Sequence, residues 1–439
     1  MKTTYLLLLS LTLALNFRTA QAGDSDAAVL KGRLSLDGVT AAVAANNPAI
    51  KAARDKWQAM KARVPQATAW EDLRTQGNSR VARYVSIPPN AFMDQSFMLQ
   101  QEVPFSGKNL SRARAATAEA GATFEDFRRT ELNALAQARA AFHRLANEYA
   151  QLEVNHRNVD LLNQLAEVSR QRYEVGNASQ ADVLTAQTDA AKLIEAKFDI
   201  LRRISEAQSQ LNVLMNRPAQ SPLGEPAAIP FQSARFSLQG LQAVALSARP
   251  EVQQAQNRVE AEKYRVELAN RQWFPDPTVN VQAQRYNDAG QAVSELDVGV
   301  SFALPFANPR KYSALIAEAR HNLGSAQHDL EAARSETLGL VRDQLKRIET
   351  AAHHYELYRD KILPLSRQTV QSNRVAYETS SANFLALISA QRVLQDVEST
   401  SINHLADYQV ALAELDAVIG VGNGEAKSVR PSREGGKRP

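Results

Sequence analysis

The side chains best suited to chemistry are few. The chain has no cysteine and seven histidines: His143, His156, His321, His328, His353, His354 and His404. His321 and His328 are seven residues apart, so they share one face of a helix, where two imidazoles could hold a metal ion. No third histidine stands beside them, and solvated helix histidines are the expected reading. Asp182 lies in a turn-prone stretch with no partner base or pocket for acid–base work. No HExxH pair, phosphate-cradling glycine loop or nucleophile elbow occurs. Without cysteine there is no thiol catalysis, no disulfide and no cysteine-anchored lipid. The expectation is a protein that is not an enzyme and holds no cofactor or metal.

The totals point to export and to helices. Aromatic residues are only 6% of the chain, which suits helices packed through small side chains. The N-terminus carries Lys2, an apolar run from Tyr5 to Leu15, and Ala20-Gln21-Ala22. That is the layout of a signal peptide over 1–22, cleaved between Ala22 and Gly23. The apolar run is shorter than the ~20 residues of a membrane-spanning helix. The formal charge of +4 falls to +2 without Lys2 and Arg18, so no nucleic-acid partner is expected. Residues 422–439 form a basic tail expected to be disordered.

Any function must therefore come from architecture, and the architecture is duplicated. Leu34-Ser-Leu-Asp-Gly-Val39 aligns with Phe236-Ser-Leu-Gln-Gly-Leu241 at an offset of 202, and the match runs on through Asn47-Pro48 and Arg249-Pro250. Val103-Pro104-Phe105 matches Leu304-Pro305-Phe306 at an offset of 201. RYEVGNASQADVLTAQ, residues 172–187, matches AYETSSANFLALISAQ, residues 376–391, at an offset of 204. The chain divides into a first repeat, 23–216, a proline-rich linker, 217–235, and a second repeat, 236–421. Ser35 and Ser237 are N-cap candidates for the helix opening each repeat, and Pro48 and Pro250 kink it or start a new segment.

A β-region follows in each repeat. Thr278 to Tyr286 alternates, with Val279, Val281, Ala283 and Arg285 on one face. Leu296, Val298, Val300, Phe302 and Leu304 alternate with polar or small residues beyond a turn at Asn287-Asp-Ala-Gly290. Such strands have the length and two-faced character of a membrane β-barrel wall. In the first repeat, Phe92 to Val103 offers one strand interrupted at Gln101, and the polar stretch Ala67 to Arg83 holds a second whose limits are hard to place.

Beyond Val103-Pro-Phe105 there is no proline until Pro218, and residues 108–174 read as one helix of about 100 Å. Such a helix must pack along a partner, and the returning helix is the nearest one. Ile194, Phe198, Leu201, Ile204, Leu211 and Leu214 form its expected seam. Gly176 ends the outgoing helix in the left-handed conformation, and Asn177 or Ser179 caps the returning one. The second repeat runs from Lys311 to Glu378, interrupted at Pro364, and returns from Phe384 to Val418.

This plan resembles the TolC-type outer membrane efflux proteins, over roughly Leu34 to Gly420. Tyr173-Glu-Val-Gly176 with Asp182-Val-Leu184-x-Ala-Gln187 is similar to the family's periplasmic tip motif. The resemblance implies a mainly α fold with a small β part. Long helical hairpins would form a trimeric periplasmic α-barrel, and four strands per chain would join a shared 12-stranded outer-membrane barrel. It implies an exit duct working with a periplasmic adaptor (a membrane fusion protein) and an inner-membrane pump of the RND type, in contact with outer-membrane lipid. The adaptor-docking tip would comprise Tyr173, Gly176, Asp182, Leu184 and Gln187, with Tyr377, Ser380, Leu385 and Gln391 in the second copy, and Asp182 would stand at the tunnel entrance. Chain length and the short first β-region place the sequence nearest the heavy-metal or cation-efflux branch. Departures from the pattern are the absence of glycine at Ser380 and of carboxylates at Ala386 and Ser389. The alternative is a periplasmic coiled-coil structural protein without a channel, which explains the helices but not Leu296 to Leu304.

Overall fold

The computed structural model describes residues 32–80, 94–288, 291–379 and 381–422. The leader with Ala22 and Gly23, Ser380, and the tail from 423 onward lie outside the described residues. Each repeat opens with two short helices: α1 (Leu36–Asn46) and α2 (Pro48–Thr68), then α5 (Leu238–Ala248) and α6 (Pro250–Arg271). Ser35 and Ser237 cap the first of each pair, their hydroxyls accepting from Gly38 N and Gly240 N. Pro48 and Pro250 start new helices rather than kinking old ones, because proline suits the first helical turn, where its missing N–H costs nothing. Asn47 caps α2, its side-chain Oδ1 accepting from Ala49 N and Ile50 N.

Among the described residues four strands make one antiparallel sheet in chain order: β1 (Arg74–Ser79), β2 (Gln95–Glu102), β3 (Pro277–Asp288) and β4 (Gln291–Phe302). The last strand stops at Phe302, not Leu304, because Pro305 opens a 3-10 turn over Pro305–Ala307. Likewise β2 stops short of Val103, whose N–H bonds to the Pro277 carbonyl from the neighbouring repeat.

Long helices leave the sheet. They are α3 (Lys108–Glu174), returning as α4 (Gln180–Leu214), and α7 (Pro309–Leu357), continued by a π-turn (Tyr358–Ile362) into α8 (Leu363–Glu378) and returning as α9 (Phe384–Ile419). At 67 residues, α3 is about 100 Å long. Pro364 does not break its helix. It sits at the start of α8 behind the π-turn, where the Leu363 N–H reaches back five residues to the Tyr358 carbonyl. No helix among the described residues is long and apolar enough to cross a membrane.

Three apolar clusters hold the helices. One joins α1 to α4 through Val39, Val43, Phe142, Leu145 and Leu211. Its counterpart joins α5, α7 and α9 through Leu241, Ala245, Val341, Tyr408 and Leu415. The third lies at the helix tips. Ala138 and Ala141 are fully buried in α3, and such small residues allow close helix approach. Along α4 the seam is Leu193, Ile200, Ile204 and Leu211, at heptad spacing. Ile194, Phe198 and Leu201, expected in that seam, are 47%, 68% and 40% exposed. They lie one residue, about 100°, around the helix, and form a second apolar stripe that the chain itself does not cover.

Candidate functional site

The sheet has two unlike faces. Cross-strand register places Thr75, Leu99, Val281 and Val298 in one row, and Gly77, Phe97, Ala283 and Leu296 in the next. A third row holds Gln101, Val279 and Val300. The opposite face carries Gln76, Met98, Gln282 and Asp297 in register, beside Asn78, Ser96, Gln284 and Glu295. Leu296, Val298, Val300 and Phe302 are each more than half exposed. A contiguous apolar face of this size calls for a covering phase. On the polar face Gln284 donates to Glu295 and Asp297 at 2.9 and 3.1 Å, and the Tyr286 hydroxyl donates to Glu295 at 2.8 Å. Gln101, which breaks the apolar alternation, sits at the helix end of β2 and donates to the Glu71 carbonyl at 2.7 Å. There the sheet also carries exposed aromatics, Trp70, Phe105, Phe274 and Phe306, two from each repeat. Aromatic rings at the edge of an apolar belt mark a membrane–water interface.

The sheet is also open. Among the described residues β1 pairs only with β2, and β4 only with β3. Edges of this kind cannot face lipid unpaired, since each unbonded backbone group there costs several kcal/mol.

A clamp ties the base of the sheet to α3. Asp276 accepts from Ser106 N at 2.8 Å, Ser106 Oγ at 2.9 Å and Lys108 Nζ at 3.0 Å. Burial by itself would raise the Asp276 carboxyl, but these bonds outweigh it and hold the group below its ordinary range. The clamp joins residues 170 positions apart, and no local pattern marks it. A carboxyl with a depressed pKa stabilises the fold above its unfolded pKa, and that contribution disappears as pH falls through the depressed value. Asp276→Asn is expected to cost about 2 kcal/mol at neutral pH through the lost charged bonds. A thermal melt that matches wild type would count against the clamp.

The tips are the other candidate site. Gly176 takes φ +77°, and the Asn177 N–H bonds back to the Arg172 carbonyl. Ser179 and Asp182 form a reciprocal capping box at the start of α4. Asp182, expected at a tunnel entrance, is thus engaged in holding the turn, with Ser179 Oγ at 2.9 Å. Asp182→Ala should speed amide exchange over residues 179–183 several-fold, for a cap worth about 1 kcal/mol. Unchanged exchange would show that the box does not hold the turn. In the second tip Asn383 caps α9, accepting from Ala386 N at 2.9 Å, and the Thr379 and Ser381 hydroxyls bond the last carbonyls of α8. Hydroxyls there do what the glycine turn does in the first copy.

The tip residues named from sequence fall into two groups. Tyr173, Gly176, Leu184, Gln187 and Leu385 are exposed. Tyr377 and Gln391 are instead buried inside the chain, at 4% and 2% exposure. They hold the two hairpins together, so they are not docking surface in this conformation. Arg172 and Asn158, which hold them, and Asp189, which pairs with Arg392 beside them, were not singled out by sequence. Among the described residues no three histidines or carboxylates converge on a metal-sized site.

The chain thus sets a two-faced, open four-stranded sheet on helical hairpins about 100 Å long. The model of the outer membrane efflux protein family matches residues 241–421. That match covers most of the second repeat, and the structural likeness below extends over both repeats. The structure is similar to a membrane protein from Pseudomonas aeruginosa, at 18% identity and TM-score 0.76, covering 93% of this chain and 95% of that one. It is similar to the outer membrane protein VceC from Vibrio cholerae, at 19% identity and TM-score 0.74, covering 88% and 96%. It is also similar to the Campylobacter jejuni CmeC outer membrane channel, at 13% identity and TM-score 0.73, covering 90% and 88%. No curated relative matches the chain by sequence.

Proposed function

We propose that the protein is the outer-membrane exit duct of a tripartite efflux system. Three copies pair β4 of one chain with β1 of the next and close a barrel of twelve strands. The apolar face meets lipid and the polar face, with Glu295 and Asp297, lines the lumen. The helices continue the duct into the periplasm, where the tips meet an adaptor of an RND-type inner-membrane pump. The duct does no chemistry, and the pump supplies the energy. The observation that carries this reading is the sheet: apolar on one face, polar on the other, and unpaired at both edges. A periplasmic coiled-coil protein has no use for such a face.

The duct reading is tested by complementation. A strain lacking the protein should become sensitive to the cargo of its cognate pump, and the wild-type gene should restore resistance. Gly176→Pro and Asp182→Ala are expected to weaken that restoration without lowering the amount of protein in the outer membrane. Full restoration by both variants would remove the tips from the coupling surface.

A further inference from the structure

The second hairpin repeats the first along its returning helix, with one exchange. The seam residues of α4, Leu193, Ile200, Ile204 and Leu211, have as counterparts in α9, 204 residues on, Val397, His404, Tyr408 and Leu415. Val397, Tyr408 and Leu415 are buried like their copies. His404 is only half-buried, where Ile200 is a core residue. An imidazole in place of that isoleucine gives up apolar burial in the seam. His404 lines instead a cavity of about 590 Å³ between α7 and α9.

A second imidazole lines the same cavity. His354, in the last turn of α7, sets its ring centre 5.1 Å from that of His404, with the planes tilted by 53°. On a tetrahedral zinc, two imidazoles bound at about 2.0–2.1 Å set their ring centres about 5 Å apart. Among the described residues neither ring is hydrogen-bonded to protein, so each has a nitrogen to give. Tyr358, the first residue of the π-turn, packs edge-on against His404 at 4.9 Å. Turns of this kind recur at functional sites. His353, next in the chain, points about 100° away around the helix. The surrounding charges favour a cation. Lys346 pairs with Glu349 at 2.6 Å, and Arg347 lies 3.9 Å from Glu414. Asp343 and Asp407 line the cavity and have no ion pair among the described residues.

We propose that His354 and His404 bind one zinc ion per chain, tying α7 to α9 beside the π-turn. The site lies within one chain and does not rest on the duct. No third side chain converges as a ligand, so water completes the coordination, and the carboxylates of Asp343 and Asp407 accept hydrogen bonds from it. Two neutral nitrogens select zinc, nickel or copper(II) over magnesium and calcium, which take oxygen ligands.

The test is a calorimetric titration of the full chain, free of any histidine tag and stripped with chelator, using zinc chloride, with magnesium chloride as the control. One zinc per chain is expected, and no response to magnesium. His354→Ala, at an exposed position, should bind about tenfold more weakly or worse, as should His404→Ile, which carries the first copy's residue at that place. His321→Ala should bind as wild type. Copper(II) loaded in place of zinc should show splitting from two imidazole nitrogens in its electron spin resonance spectrum, reduced to one nitrogen by either variant. Zinc should also slow amide exchange several-fold over residues 350–362 and 400–408 in wild type and not in His354→Ala. No zinc binding, or binding that persists in both variants, overturns the site. Weakening by His321→Ala alone would move the metal to the His321–His328 face, also against the proposal. Exchange that zinc leaves unchanged would overturn the tie between α7 and α9.

Discussion

A Val298→Arg chain is expected to reach the periplasm and fail to enter the outer membrane. Val298 lies mid-strand in β4, in register with Val281, Leu99 and Thr75 across the apolar face. An arginine at the middle of a barrel's lipid face costs about 2–4 kcal/mol, and a closed trimer would carry three of them. Gln282→Arg is the matched control. Gln282 pairs with Asp297 on the polar face, where a guanidinium meets water and a carboxylate. The control should enter the membrane at wild-type levels. Equal membrane yield of the two variants, measured by blotting separated envelope fractions, would mean that the two faces of the sheet are not lipid and lumen.

The second large effect is a pH dependence centred on His143. This side chain is buried in α3 beside Phe142, against α9. Burial is the main cause that lowers its pKa to about 4, partly opposed by a hydrogen bond with Gln409 and assisted by the charge of Arg139. Well above pH 6.5 neither folded nor unfolded chain protonates it, and it contributes nothing to pH dependence. Below that, the unfolded chain takes up a proton that the folded chain refuses. Stability falls by about 1.4 kcal/mol per pH unit, up to about 3 kcal/mol by pH 4. His143→Gln should remove that slope while the carboxylates still titrate. Melting temperatures between pH 7.5 and 4.5 that fall in parallel for wild type and variant would show that His143 is not the source. The change would be felt where α3 meets α9, since Arg139 one turn away bonds Asp416 across the same contact at 2.6 Å.

The elements were legible because their signals are local. An uninterrupted proline-free stretch with helical formers gave the outgoing helix to within a residue or two, and alternation gave the second β-hairpin. Ser35 and Ser237 were readable as caps because a cap is a relation between residues three apart. What escaped was any relation set by packing. Tyr173 and Tyr377 occupy the same place in their repeats, yet one is half exposed and the other buried, and only the neighbouring hairpin distinguishes them. The stripe of Ile194, Phe198 and Leu201 is as periodic as the true seam beside it. A helix with two apolar stripes has two partners, and periodicity does not say which lies in its own chain. Asp182 looked like a lone carboxylate because its partners are the hydroxyl and backbone N–H of Ser179, which meet it only once the turn has formed. The β1 strand, polar and six residues long, has almost no alternation to read, because part of its outward face is Thr75 and Gly77.

The central claim is a shared barrel in the outer membrane, and its most direct test is location and assembly measured together. Envelopes would be separated on a density gradient, and the fraction holding the protein extracted in mild detergent for native mass measurement. The expected result is a trimer confined to the outer-membrane fraction. A monomer or dimer recovered in the soluble periplasmic fraction would contradict the account and leave the apolar face of β3 and β4 without a partner.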